Sequence, residues 1–510
     1  MVAVRASGVV VVAVVVLAAA VGVQARPGSK GIKPLMGWNT WCTQNKCGVD
    51  WCTSDEVLDV AKTIKASGML AAGYDHINLD DCWGLRDPKT HEIKGDPVRF
   101  PEGMKAFIKK IHDLGFKFGL YTDLGADACH SPFTGSYPYY AQDAATFKDW
   151  EVDYVKFDDC NLPDGHTKEE LSCDMSSELL KTGRDFWLCF HCDWNSDTCA
   201  KCGTSFRIAH DHHDEWDSTS SIIDVLAHNR QPYWGPNPTY GLPDPDFIFT
   251  GGQGCGAHSP PGTRCPGQTE DEYMSEFSVW TIAGGSLLIA SDPRNMTDFM
   301  ARVWFNHEIL AVYNDSASLQ SVRAIGNGTL SHARHTMHLH AQRKQEQEQQ
   351  QQRQRHDLKP LASCALEKQL SHDPCVQGVS FGCNGDETMW TDHGCRGIFT
   401  CDGVQDVTCN EDGSGKHTCK CVTTPPPPSI VLARPLSDNS TVAVVIHNAA
   451  MVNQTLGFHF SAVPERAWNS KTTLHVRDLW RHADLGKATG SFSTFVPAHG
   501  SAFLLLSPAS

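Results

Sequence analysis

The stretch Val152-Asp153-Tyr154-Val155-Lys156-Phe157-Asp158-Asp159-Cys160 decides how the chain is read. A β-favouring, largely apolar run stops abruptly in two carboxylates and a cysteine. Strands that are apolar on both faces belong to parallel sheets covered by helices. The last side chains of such a strand point into the crevice beyond its carboxyl end, where α/β barrels keep their active sites. Asp158 is therefore a candidate catalytic carboxylate. Taken alone, an Asp after a strand serves equally well as the cap of the following helix. The decision rests on whether the pattern repeats.

It does. From Gly31 to about Ser318, strand-like runs (36–38, 74–79, 116–121, 152–157, 186–190, 206–209, 246–250 and 286–290) alternate with helical ones. The helical runs are 54–67, opened by a capping Ser54, then 102–114, 142–150, 169–182, 214–228, 269–283 and one continuous helix over 299–313. Repeated βα units make a parallel sheet, and this many favour a (β/α)8 TIM barrel. A doubly wound sheet usually carries a glycine-rich phosphate loop after its first strand, and none follows here.

The flanks are different in kind. Residues 1–25 read as a secretory signal peptide, with Arg5 before an apolar core and Val23-Gln24-Ala25 as the cleavage site. The expected order is then barrel (26–318) and C-terminal antiparallel β-sandwich domain (319–510). The second domain is interrupted by a His/Gln/Arg-rich segment (332–363), a cysteine-rich module (364–421) and a Pro-rich linker (422–429). Eight of the chain's 21 cysteines lie in that module. In a secreted chain they read as disulfides rather than as a zinc site, and the odd total leaves at least one thiol over. Sequons at Asn295, Asn314, Asn327, Asn439 and Asn453 fit the same route. A net charge of −16 argues against nucleic acid, and no later apolar run is long enough to span a membrane.

Asp80, Asp81, Asp123, Asp158, Asp193 and Asp211 all follow strand-like runs, so a barrel brings them to one rim. Like charges crowded into one pocket are costly, and stability alone does not favour them. Metal binding and two-carboxylate glycoside hydrolysis both exploit such a cluster. Trp38, Trp41, Trp83, Tyr121, Trp194 and Trp216 accompany the acids, and aromatic faces with carboxylates suit a carbohydrate. Core packing is the preferred reading of any one of these aromatics on its own. Lys156 and Arg207 precede Asp158 and Asp211 by two and four residues, and a neighbouring cation keeps a nucleophilic carboxylate ionised.

Five motifs together carry a family resemblance: MGWNTW (36–41), LDDCW (79–83), FGLYTDLG (118–125), YVKFDDC (154–160) and R-x-x-x-D (207–211) ahead of Trp216. The sequence resembles glycoside hydrolase family 27, the α-galactosidase and α-N-acetylgalactosaminidase group, over about 31–320 and more weakly over 430–506. The resemblance implies that Asp158 is the nucleophile and Asp211 the general acid/base of a retaining hydrolase. It implies a galactose pocket lined by Trp41, Asp80, Asp81, Tyr121, Cys129, Lys156, Cys160, Asp193, Arg207 and Asp246, with a Cys129–Cys160 disulfide beside the nucleophile. It calls for no cofactor and no metal. The implied substrate is a terminal α-D-galactosyl residue of an oligosaccharide or glycoconjugate, met in a secreted, lysosomal or vacuolar setting, with a homodimer left open.

The chain departs from the family pattern at three points. Asp159 replaces the usual Gly or Asn after the nucleophile. Asp193-Trp194 replaces Glu-Trp after the fifth strand, which leaves galactose against N-acetylgalactosamine open, with a free 2-hydroxyl favoured. His210, His212 and His213 surround Asp211. An α-N-acetylgalactosaminidase, a β-L-arabinopyranosidase, a non-catalytic carbohydrate-binding barrel and a metal-dependent hydrolase stand as alternatives.

Overall fold

The computed structural model describes residues 35–41, 52–191, 202–228, 241–252, 266–316, 323–326, 429–463 and 466–509, together with most of 364–421. The expected signal peptide, the 332–363 segment and residues 422–428 of the expected linker lie outside these residues. So do Asp193 and Trp194.

Eight parallel strands form one sheet: Met36–Asn39, His76–Asn78, Lys117–Asp123, Tyr154–Asp158, Trp187–His191, Ser205–Arg207, Leu242–Asp244 and Leu287–Ile289. They are hydrogen-bonded in this order, and the eighth lies beside the first. Past the seventh strand, Ile248 bridges to Ile289, with N–H···O bonds to Leu288 and from Ala290 closing the ring. Asp246 makes this possible by taking φ of 76°, a left-handed turn between the two short paired segments.

Sequence chemistry explains the helices that return the chain. Helix Ser54–Ser67 is capped by Thr53, one residue before the expected Ser54, and Gly68 ends it at φ 90°. Helix Glu270–Ala283 starts at a reciprocal capping box between Thr269 and Glu272. The helix expected over 299–313 is two helices, Asp298–Trp304 and His307–Tyr313. Asn306 breaks it by accepting a hydrogen bond from Ile309 N–H and capping the second piece. A hairpin, Gly84–Arg86 with Ile93–Gly95, sits unannounced in the loop after the second strand.

The C-terminal part is an antiparallel six-stranded sheet faced by the pair Gln454–His459 and Ser491–Val496. Its edge strand Arg323–Gly326 comes from before the insert and pairs with Ile430–Pro435 after it. The cysteine-rich module forms two small three-stranded sheets. All eight of its cysteines pair, as 364–383, 375–395, 401–421 and 409–419. Among the described residues Cys189 is the free cysteine, buried with its thiol 3.1 Å from Asp244 Oδ2.

Candidate active site

Asp158 ends the fourth strand, and the register sets it beside Asp123 of the third. Each oxygen of its carboxylate is engaged. Oδ1 accepts from the Asp159 N–H at 3.1 Å and lies 2.9 Å from His191 Nδ1, while Oδ2 accepts from the Tyr121 hydroxyl at 3.1 Å. Burial alone would raise its pKa. The His191 hydrogen bond and the charges of Lys156, His191 and Arg207 outweigh it and hold the carboxyl well below the usual carboxylate range.

Lys156 points inward from the same strand, one alternation earlier. Its ammonium lies 3.0 and 3.3 Å from the two Asp80 oxygens and is enclosed by the rings of Trp41, Tyr121 and Phe247. Burial disfavours that charge, but Asp80, Asp158 and Asp246 raise the pKa above the ordinary lysine value. Burial of Asp80 pushes its own carboxyl up despite Lys156, with Asp158 adding repulsion. Asp81 accepts from the His130 N–H at 2.7 Å through Oδ2, which also lies 3.0 Å from His130 Nδ1. Its other oxygen, Oδ1, is buried and has no hydrogen-bond partner among the described residues. A buried acceptor left in that state costs about 1–3 kcal/mol, which a ligand hydroxyl would recover.

Asp211 follows the sixth strand. Arg207 Nη2 donates to Asp211 Oδ1 at 3.1 Å and reaches Asp246 Oδ2 at 3.0 Å. Asp246 also accepts from the His212 N–H at 2.9 Å, so this buried carboxylate holds the guanidinium and the loop from behind. Asp211 is much more open, with 41% of its side chain exposed against 3% for Asp246. It borders a cleft of about 420 Å³ with His191, His210 and His213. Burial raises its pKa, but Arg207 and Lys156 bring it below the ordinary value, against the repulsion of Asp158. The Cys129–Cys160 disulfide ties the loops after the third and fourth strands together beside Asp158. Asp123 anchors the same loops, accepting from Gly125 N–H at 2.6 Å and Cys160 N–H at 2.9 Å.

Several aromatic residues turn out to be packing. Trp38 is fully buried, and Trp83 donates to the Tyr121 carbonyl from among Phe147 and Trp150. Trp216 stacks on His499 of the C-terminal domain at 4.4 Å. Trp41 remains at the site, beside Lys156 and His130. The three histidines do not act as one group. His212 turns into the core, its ring nitrogens 2.7 Å from the Phe247 carbonyl and 2.8 Å from Thr219 Oγ1, while His210 and His213 face the cleft. His191 and His130 were not anticipated. His191 is the residue just past the expected fifth strand, and His130 follows Cys129 on a loop with no periodic signal.

A closed barrel with the buried carboxylate of Asp158 and the more open one of Asp211 on one rim is an arrangement that two-carboxylate glycoside hydrolases use. The family description "Alpha galactosidase A" matches residues 33–315, and "Alpha galactosidase C-terminal beta sandwich domain" matches 427–506. The chain belongs to this alpha-galactosidase family, glycoside hydrolase family 27. It is 32% identical to Alpha-galactosidase 2 of Arabidopsis thaliana over 308 residues, 59% of this chain and 71% of that protein. It is 34% identical to an Alpha-galactosidase of Cyamopsis tetragonoloba over 296 residues, 57% and 66% of the two chains. The fold superposes on alpha-galactosidase I from Mortierella vinacea with a TM-score of 0.64 at 21% identity, covering 95% of this chain and all of that one.

Proposed function

We propose that the protein is a retaining α-galactosidase that removes terminal α-D-galactosyl residues from oligosaccharides or glycoconjugates. The observation that carries the reading is the setting of Asp158 at a strand end, with both oxygens hydrogen-bonded and Asp211 on the same rim. Tyr121, His191, Lys156 and Arg207 hold it ionised at the pocket wall. In the first step an Asp158 oxygen bonds to the anomeric carbon as the glycosidic C–O bond breaks, and Asp211 gives its proton to the departing oxygen. In the second, water attacks the same carbon, Asp211 takes its proton, and the electron pair of the ester C–O bond returns to Asp158. Asp211 must be protonated for the first step, and Arg207 opposes this in the free enzyme. Sugar binding expels water around a half-exposed carboxyl, which favours its neutral form.

Asp80 and Asp81 then receive hydroxyls of the sugar ring. A hydroxyl displaced from Asp81 Oδ1 leaves that acceptor unpaired, which favours one ring configuration over another. Trp41, Tyr121, Lys156 and the Cys129–Cys160 pair shape the rest of the pocket. The disulfides support a secretory-route setting. The test is release of 4-nitrophenol from the α-galactoside, the α-N-acetylgalactosaminide and the β-L-arabinopyranoside, with Asp158→Asn as control. Preference for the α-galactoside, lost in the variant, is the expected result. An enzyme inert on all three, or full activity in the variant, overturns it.

A further inference from the structure

Asp159, the residue after the nucleophile, is tied on two sides. Its Oδ2 accepts from Lys168 Nζ at 2.7 Å, and its Oδ1 lies 3.1 Å from His191 Nδ1. The same ring nitrogen lies 2.9 Å from Asp158 Oδ1. One N–H is therefore shared between the nucleophile and its neighbour. His191 comes from the fifth strand and Lys168 from the helix Lys168–Lys181, so three elements converge on the two carboxylates. A stabilising role for the fold alone does not require the ring to touch Asp158.

We propose that His191 is a positioning residue for the nucleophile, held in place by Asp159 and Lys168, and that it acts mainly when Asp158 leaves the glycosyl-enzyme. The inference rests on the proposed double displacement. His191 and the Asp159 N–H both engage Oδ1, which leaves Oδ2, partnered by the Tyr121 hydroxyl, to bond the anomeric carbon. In the ester, Oδ1 is the carbonyl oxygen. When water attacks, the C–Oδ2 bond breaks and its electron pair spreads over the recovered carboxylate, onto the oxygen that faces the His191 N–H. The water proton goes to Asp211. A donor aimed where charge develops lowers that barrier.

The groups facing the ring decide its charge. Asp158 and Asp159 lie against it. Arg207 and Asp211 approach from the sixth strand and the loop after it, and His210 and His213 share the cleft. Burial and Arg207 disfavour the imidazolium, but the two carboxylates outweigh them and push its pKa up to about 9. With both carboxylates charged, the free enzyme thus carries the imidazolium at neutral pH and loses it as pH rises through that value. Esterification removes one of the two charges, so Asp159 alone then holds the proton.

The experiment is steady-state and stopped-flow kinetics of the full chain with 4-nitrophenyl α-galactoside, for wild type, His191→Leu, His191→Asn and Asp159→Asn. Each protein is first checked for a wild-type thermal melt. In His191→Leu, kcat falls about 100-fold, the cost typical of one lost donor. KM falls with it, and a burst of 4-nitrophenol appears as the glycosyl-enzyme accumulates. His191→Asn, a neutral donor, recovers part of kcat. In Asp159→Asn the alkaline limb of kcat moves to lower pH, by about one unit. A kcat that falls in His191→Leu at unchanged KM and without a burst, or an alkaline limb unmoved in Asp159→Asn, overturns the inference and leaves the proposed function standing. A wild-type enzyme inert on the α-galactoside overturns the proposed function and this inference with it.

Discussion

Arg396, on the cysteine-rich insert, donates to Glu272 Oε1 of the barrel at 2.9 Å, and both side chains are buried. Glu272 is also the acidic member of the capping box that starts helix Glu270–Ala283, and its Oε1 lies 2.7 Å from His499 Nδ1 of the C-terminal domain. One carboxylate thus joins barrel, insert and β domain. Removing Arg396 leaves the buried Glu272 charge with His499 alone, at a cost below the ~3–5 kcal/mol of a fully uncompensated partner. Arg396→Ala is expected to lower the denaturation midpoint while 4-nitrophenyl α-galactoside turnover at 25 °C persists. Chemical denaturation of the two proteins checks it.

The same carboxylate sets an acid limit. Burial raises the Glu272 pKa, but Arg396 and His499 depress it well below its ordinary value of 4.5. A depressed pKa contributes stability that is present above 4.5 and lost as pH falls below it through the folded-state value. The melting temperature of the wild type is expected to drop on acidification below this point. In Glu272→Gln that part of the slope is absent, as a thermal melt series shows.

Two other buried carboxyls act in the opposite sense. Burial pushes Glu276 up to about 8 and Asp214 up to about 7, against hydrogen bonds from Phe249 and Thr250 and from Tyr273. A raised carboxyl pKa means that the folded state binds more protons between the unfolded and folded values. Stability is full below about 4 and falls as pH rises through 7–8, by about 1.4 kcal/mol per pH unit for each group. The protein is expected to melt at higher temperature at pH 5 than at pH 8. Glu276→Gln, which keeps an acceptor for Phe249 N–H and a donor for Thr250, should flatten the curve.

Asp81→Asn tests the unpaired acceptor. An amide in place of the carboxylate weakens the charged hydrogen bond to a sugar hydroxyl proposed for it, worth about 1.5–3 kcal/mol. The expected loss in kcat/KM is about 10- to 100-fold with the melt nearly unchanged. An equal loss for substrates epimeric at every ring hydroxyl would show that Asp81 reads none of them.

The Cys129–Cys160 link pins the loop that carries Asp158's neighbours. A Cys129→Ser/Cys160→Ser variant is expected to retain the barrel's circular dichroism and lose about 100-fold in kcat, the effect of a shift of about 1 Å at Asp158, the proposed nucleophile.

The strand ends were legible because periodicity and chemistry agree there. Runs ending in Asp80-Asp81, Asp123 and Asp158 are short, alternating or largely apolar, and bounded by carboxylates, so position in the fold follows from pattern. The helix boundary at Asn306 was not legible. Apolar residues continue through it at helical spacing, and only the turn of the Asn306 side chain onto Ile309 N–H stops the helix. Trp216 could not be placed from sequence for a related reason. It follows the acid/base motif closely in sequence, but helix Trp216–His228 turns it onto His499, 283 residues away.

Sequence alone determined the alternation of elements, the rim carboxylates, and a strand-end Asp with a lysine two residues before it. These follow from residue types at fixed short spacings, where backbone geometry decides which side chains share a face. Tertiary structure decided which groups face one another. His191 meets Asp158 and Asp159 because the fourth and fifth strands are neighbours in register, and Arg396 meets Glu272 because an insert folds back across the barrel. Such pairings depend on closure of long loops, and no local pattern in the chain encodes them.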